Sequence, residues 1–179
     1  MRQNYSDIGI IIKTQDYKEA DKIITQFTQN HGLVSYFAVG ARRNNSKKAP
    51  HLDLMSHIKF SAYVHDGQSS LIQADSLNYY SNIKKNLKKI GLAISFLEIV
   101  YNLLPAEVED EEIYSSLVNY LEAINNSDNE IKDKQISAKF GSYLIRHLGY
   151  PPPPASSNGN LSSYFEILMN KKIIGKEIG

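Results

Sequence analysis

The 179-residue sequence contains no cysteine and no tryptophan. Without cysteine, the chain can form no disulfide, thiolate zinc site, iron–sulfur cluster or cysteine nucleophile. The longest apolar stretch, residues 91–104, is too short to span a bilayer and contains Glu98. The first residues also lack the apolar core of a signal peptide. These absences predict a soluble cytoplasmic protein without a membrane partner.

Charge is distributed unevenly along the chain, although the formal net charge is only +1. Residues 1–80 carry a net charge of +2 and residues 81–104 of +3. Residues 105–133 carry −8, and residues 134–179 carry +4. A nearly neutral total therefore combines a basic front, an acidic middle and a mildly basic end. Such asymmetry bears on the choice of partners and not on the fold.

The first 80 residues predict a small β-domain. Alternating apolar residues and β-branched composition indicate five short strands, at residues 8–13, 23–28, 33–39, 58–65 and 71–74. Asn30-His31-Gly32 and Asp66-Gly67 supply turn residues between them. Because no helical pattern interrupts these strands, we expect a small antiparallel barrel or sandwich.

From Ser81 onward, apolar residues recur at helical spacing. One largely buried helix is predicted from Ser81 to Leu104, where Pro105 ends it. Further helices are expected from about Asp110, after the capping-box pattern that begins at Ser127, and over residues 161–169. The fold class is therefore α+β, with a β-domain at 1–80 and a helical domain at 81–179. A proline-rich connector is expected at 151–160.

A basic loop, residues 40–48, is the clearest polar feature. Its four cations occupy seven residues: Arg42, Arg43, Lys47 and Lys48. Mobile cations on an exposed loop bind phosphate, and arginine adds a planar fork that matches phosphate oxygens. A solvated loop that only maintains solubility is an equally good interpretation of the composition.

A second basic group lies on the first predicted helix. Its members are Lys84, Lys85, Lys88 and Lys89. At 100° per residue they cover about 140° of the helix circumference, opposite Leu87 and Ile90. An ordinary solvated helix face is the more common explanation. Two basic groups beside one β-domain nevertheless favour a polyanion-binding surface.

Aromatic residues lie among the predicted strands. Tyr63 shares the solvent-facing side of its strand with Lys59. A tyrosine ring on such a face can stack an unpaired base for about 1–3 kcal/mol. For any single tyrosine, structural packing at a barrel rim is the more common role.

Histidine chemistry receives little support from the sequence. His51, His57 and His65 follow no compact metal-ligand spacing, and no serine has the partners of a nucleophile. We therefore predict no catalytic residue, no metal site and no cofactor. A small hydrolase that uses these histidines stays a minor alternative.

The order of these features resembles a known family. Residues 5–48 run from the isoleucine-rich strand through the turns Lys18-Glu19-Ala20-Asp21 and Phe27-Thr28…His31-Gly32 to the Gly40-Ala41-Arg42-Arg43 loop. The helix end Leu144-Ile145-Arg146-His147-Leu148-Gly149-Tyr150-Pro151 fits the same pattern. This order resembles the RecO recombination-mediator family of bacteria over roughly residues 5–150, most specifically over 7–48.

The resemblance implies an N-terminal OB-fold joined to a helical domain, with no enzymatic activity. It also implies a role in DNA repair and recombination, through binding of single- and double-stranded DNA and annealing of complementary strands. RecR, the tail of the single-strand DNA-binding protein and, indirectly, RecA are the implied partners. The family's basic loop after the third strand corresponds to Arg42, Arg43, Lys47 and Lys48 here.

One departure from the family pattern concerns zinc. Many family members carry a four-cysteine zinc module after the Gly-Tyr-Pro helix end, where this sequence has residues 151–160 and no cysteine. Zinc is therefore not implied.

An OB-like scaffold that binds protein and not nucleic acid is the alternative hypothesis. Its affinity for a partner need not depend on salt, whereas affinity for a polyanion must.

Overall fold

Five strands form a closed barrel in the first part of the chain. They are β1 (Gln3–Tyr17), β2 (Asp21–Thr28), β3 (Gly32–Ala38), β4 (His57–His65) and β5 (Gln68–Asn78). Their order around the barrel is β1-β2-β3-β5-β4, and only β3 and β5 pair in parallel. The predicted OB-like barrel is thus confirmed, with a β1 longer than expected.

The computed structural model describes residues 3–154 and 160–178. They form two compact units. The barrel unit comprises residues up to Tyr79 together with Leu104–Tyr114, and the helical unit comprises Tyr80–Leu103 and the chain from Ser115 onward. The proline-rich connector expected at 151–160 falls partly on residues 155–159, which lie outside the described residues.

The barrel core follows from the alternation of its strands. Side chains that point inward from all five strands are buried together, among them Ile11, Ile24, Tyr36, Phe60 and Leu71. Burying a large apolar side chain stabilises a fold by about 1.5–3 kcal/mol relative to exposure. The register shift between Ile11 and Lys13 marks a bulge in β1. Ile10, Ile11 and Ile12 are all buried there, so this strand is covered on both faces.

An acidic segment from the middle of the chain covers part of the barrel's outer surface. Ala106 bridges to Leu33, and the Glu107 amide donates to the Leu33 carbonyl at 3.1 Å. The rings of Phe27 and Tyr114 meet edge to face at 5.9 Å between centroids. The segment 104–114 therefore belongs to the barrel unit, although it lies beyond the first predicted helix in sequence.

The loop after β3 runs along the edge of β5. Only Phe37 and Ser70 are in register between β3 and β5, so much of that edge needs other partners. The Lys48 ammonium donates to the Leu71 carbonyl at 3.0 Å, and the Ser76 amide donates to His51 Nδ1 at 3.2 Å. A short 3-10 helix, Ala49–His51, lies in this loop. Covering an edge in this way prevents pairing with other chains.

In residues 3–154 and 160–178, six helices follow the barrel. They are α1 (Ser81–Lys84), α2 (Leu87–Leu103), α3 (Glu111–Asn126), α4 (Glu130–His147), α5 (Leu161–Met169) and α6 (Gly175–Ile178). The core of the helical unit is aromatic: the Phe96 ring lies 4.8–6.3 Å, between centroids, from the rings of Tyr120, Phe140 and Phe165. Within the described parts of the chain, none of the helices has the length and apolar character that crossing a bilayer requires.

Two local predictions about the helices are wrong. The single helix expected from Ser81 to Leu104 is interrupted at Lys85 and Asn86. The Asn86 side chain accepts hydrogen bonds from the amides of Lys88 and Lys89, so it starts a new helix there. The capping residue of α4 is Asn129, which accepts from the Lys132 amide at 3.0 Å. The Ser127 hydroxyl instead bonds to buried Asp133.

Candidate nucleic-acid interface

The basic loop is anchored to the turn between β1 and β2. The Gly40 amide donates to Asp21 Oδ1 at 2.8 Å, and the Arg42 amide donates to the Ala20 carbonyl at 2.8 Å. Gly40 has a φ of +68°, a left-handed conformation that a residue with a Cβ adopts at a cost. The base of the loop is therefore held in place while its side chains project outward.

Arg42 is partly engaged by the protein itself. Its Nε lies 3.4 Å from Asp16 Oδ2, and its Nη1 donates to the Lys18 carbonyl at 3.4 Å. The side chain keeps 38% of its surface exposed, so the guanidinium still faces solvent. An exposed pair of this kind contributes at most about 1 kcal/mol and exchanges readily for a phosphate.

Lys18 is a cation that sequence reasoning left out of the interface. Its backbone accepts a hydrogen bond from Arg42, and its ammonium lies 5.2 Å from the centroid of the Tyr17 ring. The predicted strand order already indicated this position of Lys18. Antiparallel pairing of β2 with β3 places the start of β2 beside the end of β3. The turn before β2 must then lie next to the loop that follows β3.

Arg43 and Lys47 are the most available cations of the loop. Both are exposed, and no described residue forms an ion pair or a side-chain hydrogen bond with either of them. The Ser46 amide donates to the Arg43 carbonyl at 3.0 Å, so a turn brings the two halves of the loop together. Because neither charge is neutralised by another side chain of the protein, both are available to bind phosphate.

Lys48 connects the loop to the sheet. Burial lowers the pKa of its ammonium, while the negative charge of Asp21 and that of an ionised Tyr63 act in the opposite direction. Its hydrogen bond to Leu71 gives it a structural role as well. Leu71 follows Ser70, the cross-strand neighbour of Tyr63, so the structure places Lys48 close to Tyr63, which the sequence pattern had assigned to a different group.

Lys59 and Tyr63 lie on the same face of β4, as predicted. Lys59 is exposed and Tyr63 is partly exposed. The cross-strand neighbour of Lys59 is Asp75, whose carboxylate accepts from Gln73 at 2.9 Å. A carboxylate beside Lys59 weakens the attraction of this part of the face for phosphate. Tyr63, next to Lys48, has the more favourable surroundings.

The four helix lysines do not form one exposed face, so that prediction is wrong. The break at Asn86 separates Lys84 and Lys85 from the other two. Lys88 forms an ion pair with Glu130 at 2.6 Å. Lys89 is 7% exposed, and its ammonium donates to the carbonyls of Ile124 and Ser127, both at 2.8 Å. It caps the end of α3 and offers no charge to a ligand.

Histidines in the barrel unit have structural partners. His51 bonds to Ser76, His57 Nε2 lies 2.9 Å from the Tyr114 hydroxyl, and His65 lies 3.1 Å from Asp66. Across residues 3–154 and 160–178, no three histidine, aspartate or glutamate side chains are grouped as metal ligands. The hydrolase alternative thus gains no support from the arrangement of these side chains.

The barrel, its cationic loop and the helices that follow define an α+β protein of the OB-like class. Residues 1–80 match the family model described as "Recombination protein O N terminal". The chain is 32% identical over 142 residues to the DNA repair protein RecO of Geobacter metallireducens, and 31% identical over 142 residues to that of Geobacter sulfurreducens. It is also 28% identical over 148 residues to that of Rubrobacter xylanophilus. The chain belongs to the RecO family.

The matches cover most of this chain but a smaller share of each relative. With the two Geobacter proteins they cover 79% of this chain and 57% of the relative. With the Rubrobacter protein they cover 83% of this chain and 58% of the relative. The chain therefore spans less than two thirds of the length of these curated relatives.

Proposed function

We propose that this chain binds single- and double-stranded DNA and acts, without catalysis, as a recombination mediator in DNA repair. In this role it promotes annealing of complementary strands and supports the loading of RecA. The name shared by its relatives, DNA repair protein RecO, supports the DNA-repair part of the proposal. The anchored cationic loop supports the DNA-binding part.

One observation carries the proposal: the side chains of Arg43 and Lys47 are exposed and form no ion pair or hydrogen bond with any described residue. Lys18, Arg42 and Lys48 lie around them and extend the same positive surface. Together these five residues form the cationic surface. Cations held in this way can replace the counterions around a sugar–phosphate chain.

The proposed mechanism is electrostatic. Neutralising backbone phosphates on two strands reduces their repulsion, so that complementary bases can meet. Phosphate contacts position a strand without reading its sequence, so base identity has little effect. Tyr63, close to Lys48 across the β4–β5 pair, supplies a ring on which an unpaired base can stack. We also propose weaker contacts with DNA by four further lysines: Lys59, Lys84, Lys85 and Lys88. Lys89 is omitted because its ammonium is buried.

Protein partners are proposed on the basis of family membership. RecR, the tail of the single-strand DNA-binding protein and, indirectly, RecA are the candidates.

The helical unit contains a cavity of about 670 Å³ with Phe96, Ile99 and Phe165 among its apolar lining residues. Glu130 and Asp133 line it beside Lys88, Lys134 and Lys176, and Lys88 is paired with Glu130. Lys134 and Lys176 are therefore the cations proposed to meet the acidic side chains of an apolar, acidic peptide. We propose this cavity as the site for such a tail.

The DNA-binding proposal is tested with the double variant Arg43→Gln, Lys47→Gln. Fluorescence anisotropy of a labelled single-stranded oligonucleotide gives the binding constant at several salt concentrations. Each lost phosphate contact reduces the slope of log K against log[salt] by about 0.7, so we expect a slope shallower by about 1.4. Strand annealing should slow in parallel.

A matched control removes the same charge elsewhere. Lys139→Gln, Lys171→Gln changes two exposed lysines of the helical unit for which the structure shows no side-chain partner. We expect this variant to keep the wild-type slope. If both double variants bind with the same slope as the wild type, the loop assignment is wrong. If the wild type shows no salt-dependent DNA binding, the protein-binding scaffold is the better hypothesis.

A further inference from the structure

The open end of the barrel forms a second candidate site, distinct from the cationic surface. A cavity of about 500 Å³ lies there, between the inward-facing ends of the strands and the acidic segment 104–114. Its walls include Tyr5, Val34 and Val64 from the strands and His31 from the turn between β2 and β3. Glu107 and Glu109 line it from the segment. We call this cavity the barrel mouth.

The aromatic wall of the barrel mouth is held rigidly. The Tyr5 and His31 rings lie 4.5 Å apart between centroids, and the Tyr5 hydroxyl donates to the hydroxyl of buried Tyr36 at 2.9 Å. His31 Nδ1 lies 2.7 Å from Asp7 Oδ2, and the Asn30 side chain donates to Asp7 Oδ1 at 2.7 Å. Because the Asp7 side chain is fully buried, these contacts fix the turn and its ring.

The charge at the barrel mouth is negative. Glu107 and Glu109 are exposed, and no described cation pairs with either carboxylate. Burial raises the pKa of Tyr5, and the charges of Asp7 and Glu107 act in the same direction. His31 is the only residue with a positively ionisable side chain among those described as lining the cavity. A phosphate is therefore repelled at this site, whereas a cation is attracted.

We propose that the barrel mouth binds the guanidinium group of an arginine presented by a partner protein. Guanidinium is planar, stacks on aromatic rings and donates to carboxylates in a fixed fork, whereas an ammonium group is a point charge. The ring of Tyr5 offers the stacking surface, and Glu107 and Glu109 offer the carboxylates. Val34 and Val64 accommodate the methylene stem of the side chain. This contact is independent of the proposed DNA surface.

The test uses small probes and the whole chain. N-acetyl-arginine amide is titrated into isotopically labelled protein, and backbone amide shifts are followed by NMR. We expect saturable shifts at His31, Ser69 and Glu107. The neutral isostere N-acetyl-citrulline amide should bind at least about tenfold more weakly, because it keeps the shape of arginine but lacks its charge. N-acetyl-lysine amide should fall between the two.

Variants locate the contact. Glu107→Gln, Glu109→Gln should weaken binding of the arginine probe by about tenfold. The matched control, Glu19→Gln, Glu122→Gln, removes the same charge from two exposed positions outside the mouth and should bind as the wild type does. All four side chains are exposed, so the fold should be retained, which circular dichroism verifies.

Three results would overturn the proposal. Equal binding of the citrulline and arginine probes would show that charge is not recognised. Shifts confined to residues outside the mouth would place the arginine elsewhere. Shifts at the mouth on addition of thymidine, with none from the arginine probe, would make it a base-binding site. None of these outcomes depends on whether the cationic surface binds DNA.

Discussion

Gly32 lies directly against the backbone of Val108. A Cβ built on Gly32 would come within 2.1 Å of the Val108 carbonyl oxygen and 2.6 Å of its carbonyl carbon. Gly32 also has a φ of +65°. Glycine is therefore required here for two independent reasons, its left-handed backbone and the absence of a side chain. This contact lets the acidic segment 104–114 lie on the barrel and form one wall of the barrel mouth.

The first prediction is that Gly32→Ala destabilises the protein strongly. The left-handed backbone alone costs an alanine about 1–2 kcal/mol, and the clash with Val108 adds to that. Gly67→Ala is the control, because Gly67 has a φ of +75° but nothing within 4 Å of the added Cβ. Urea denaturation should therefore show a clearly larger loss of unfolding free energy for Gly32→Ala.

Hydrogen exchange locates the effect. The Glu107 amide, which donates to Leu33, should exchange faster in Gly32→Ala than in Gly67→Ala. Equal stabilities and equal exchange rates in the two variants would mean that the contact with Val108 does not hold the segment in place.

A second prediction concerns Lys89. In Lys89→Met, the carbonyls of Ile124 and Ser127 lose their donor, which should lower the free energy of unfolding by about 1–3 kcal/mol. DNA affinity should not change, because the ammonium is not presented to solvent. Thermal melts and oligonucleotide anisotropy measure the two quantities.

Lys85→Met is the comparison, because Lys85 is exposed at the break between α1 and α2. Its stability should stay within about 0.5 kcal/mol of the wild type. If Lys89→Met kept full stability but lost DNA affinity, Lys89 would not cap α3. It would instead belong to an exposed, DNA-binding lysine face, as the sequence pattern predicted.

Our third prediction separates stacking from packing at Tyr63. Stacking requires an unpaired base and contributes about 1–3 kcal/mol, so Tyr63→Leu should reduce affinity for a single strand by about fivefold or more. Affinity for a duplex of equal charge should change little, because its bases are already stacked on one another.

Tyr101→Leu, which removes an exposed tyrosine from the helical unit, serves as the reference. It should leave both affinities unchanged. A parallel loss of single-strand and duplex affinity in Tyr63→Leu would indicate a role in positioning Lys48, and not a stacking platform.

Local patterns were sufficient for the elements that depend on neighbouring residues. Alternation and β-branched composition together predicted the five strands, and the Asp66-Gly67 pair marked the hairpin between β4 and β5. At Asn86 and Asn129, the start of a helix differs from the start that the sequence pattern predicted. A side-chain oxygen there captures nearby amides and shifts the start of a helix by a few residues. Periodicity of apolar residues does not register that competition.

By itself, the sequence determined the barrel, the helices after it, the exposed cationic loop and the resemblance to RecO proteins, because these follow from short-range periodicity and composition. Tertiary structure alone decided which charges are available. The Lys89 ammonium donates to two carbonyls, 35 and 38 residues away in sequence, and is therefore not available to a ligand. Lys18, by contrast, lies beside Arg42 although 24 residues separate them in sequence. Tertiary structure also decided that residues 104–114 belong to the barrel unit. Whether a charged side chain meets solvent, a carbonyl or a carboxylate depends on packing between distant segments, and no local pattern specifies that packing.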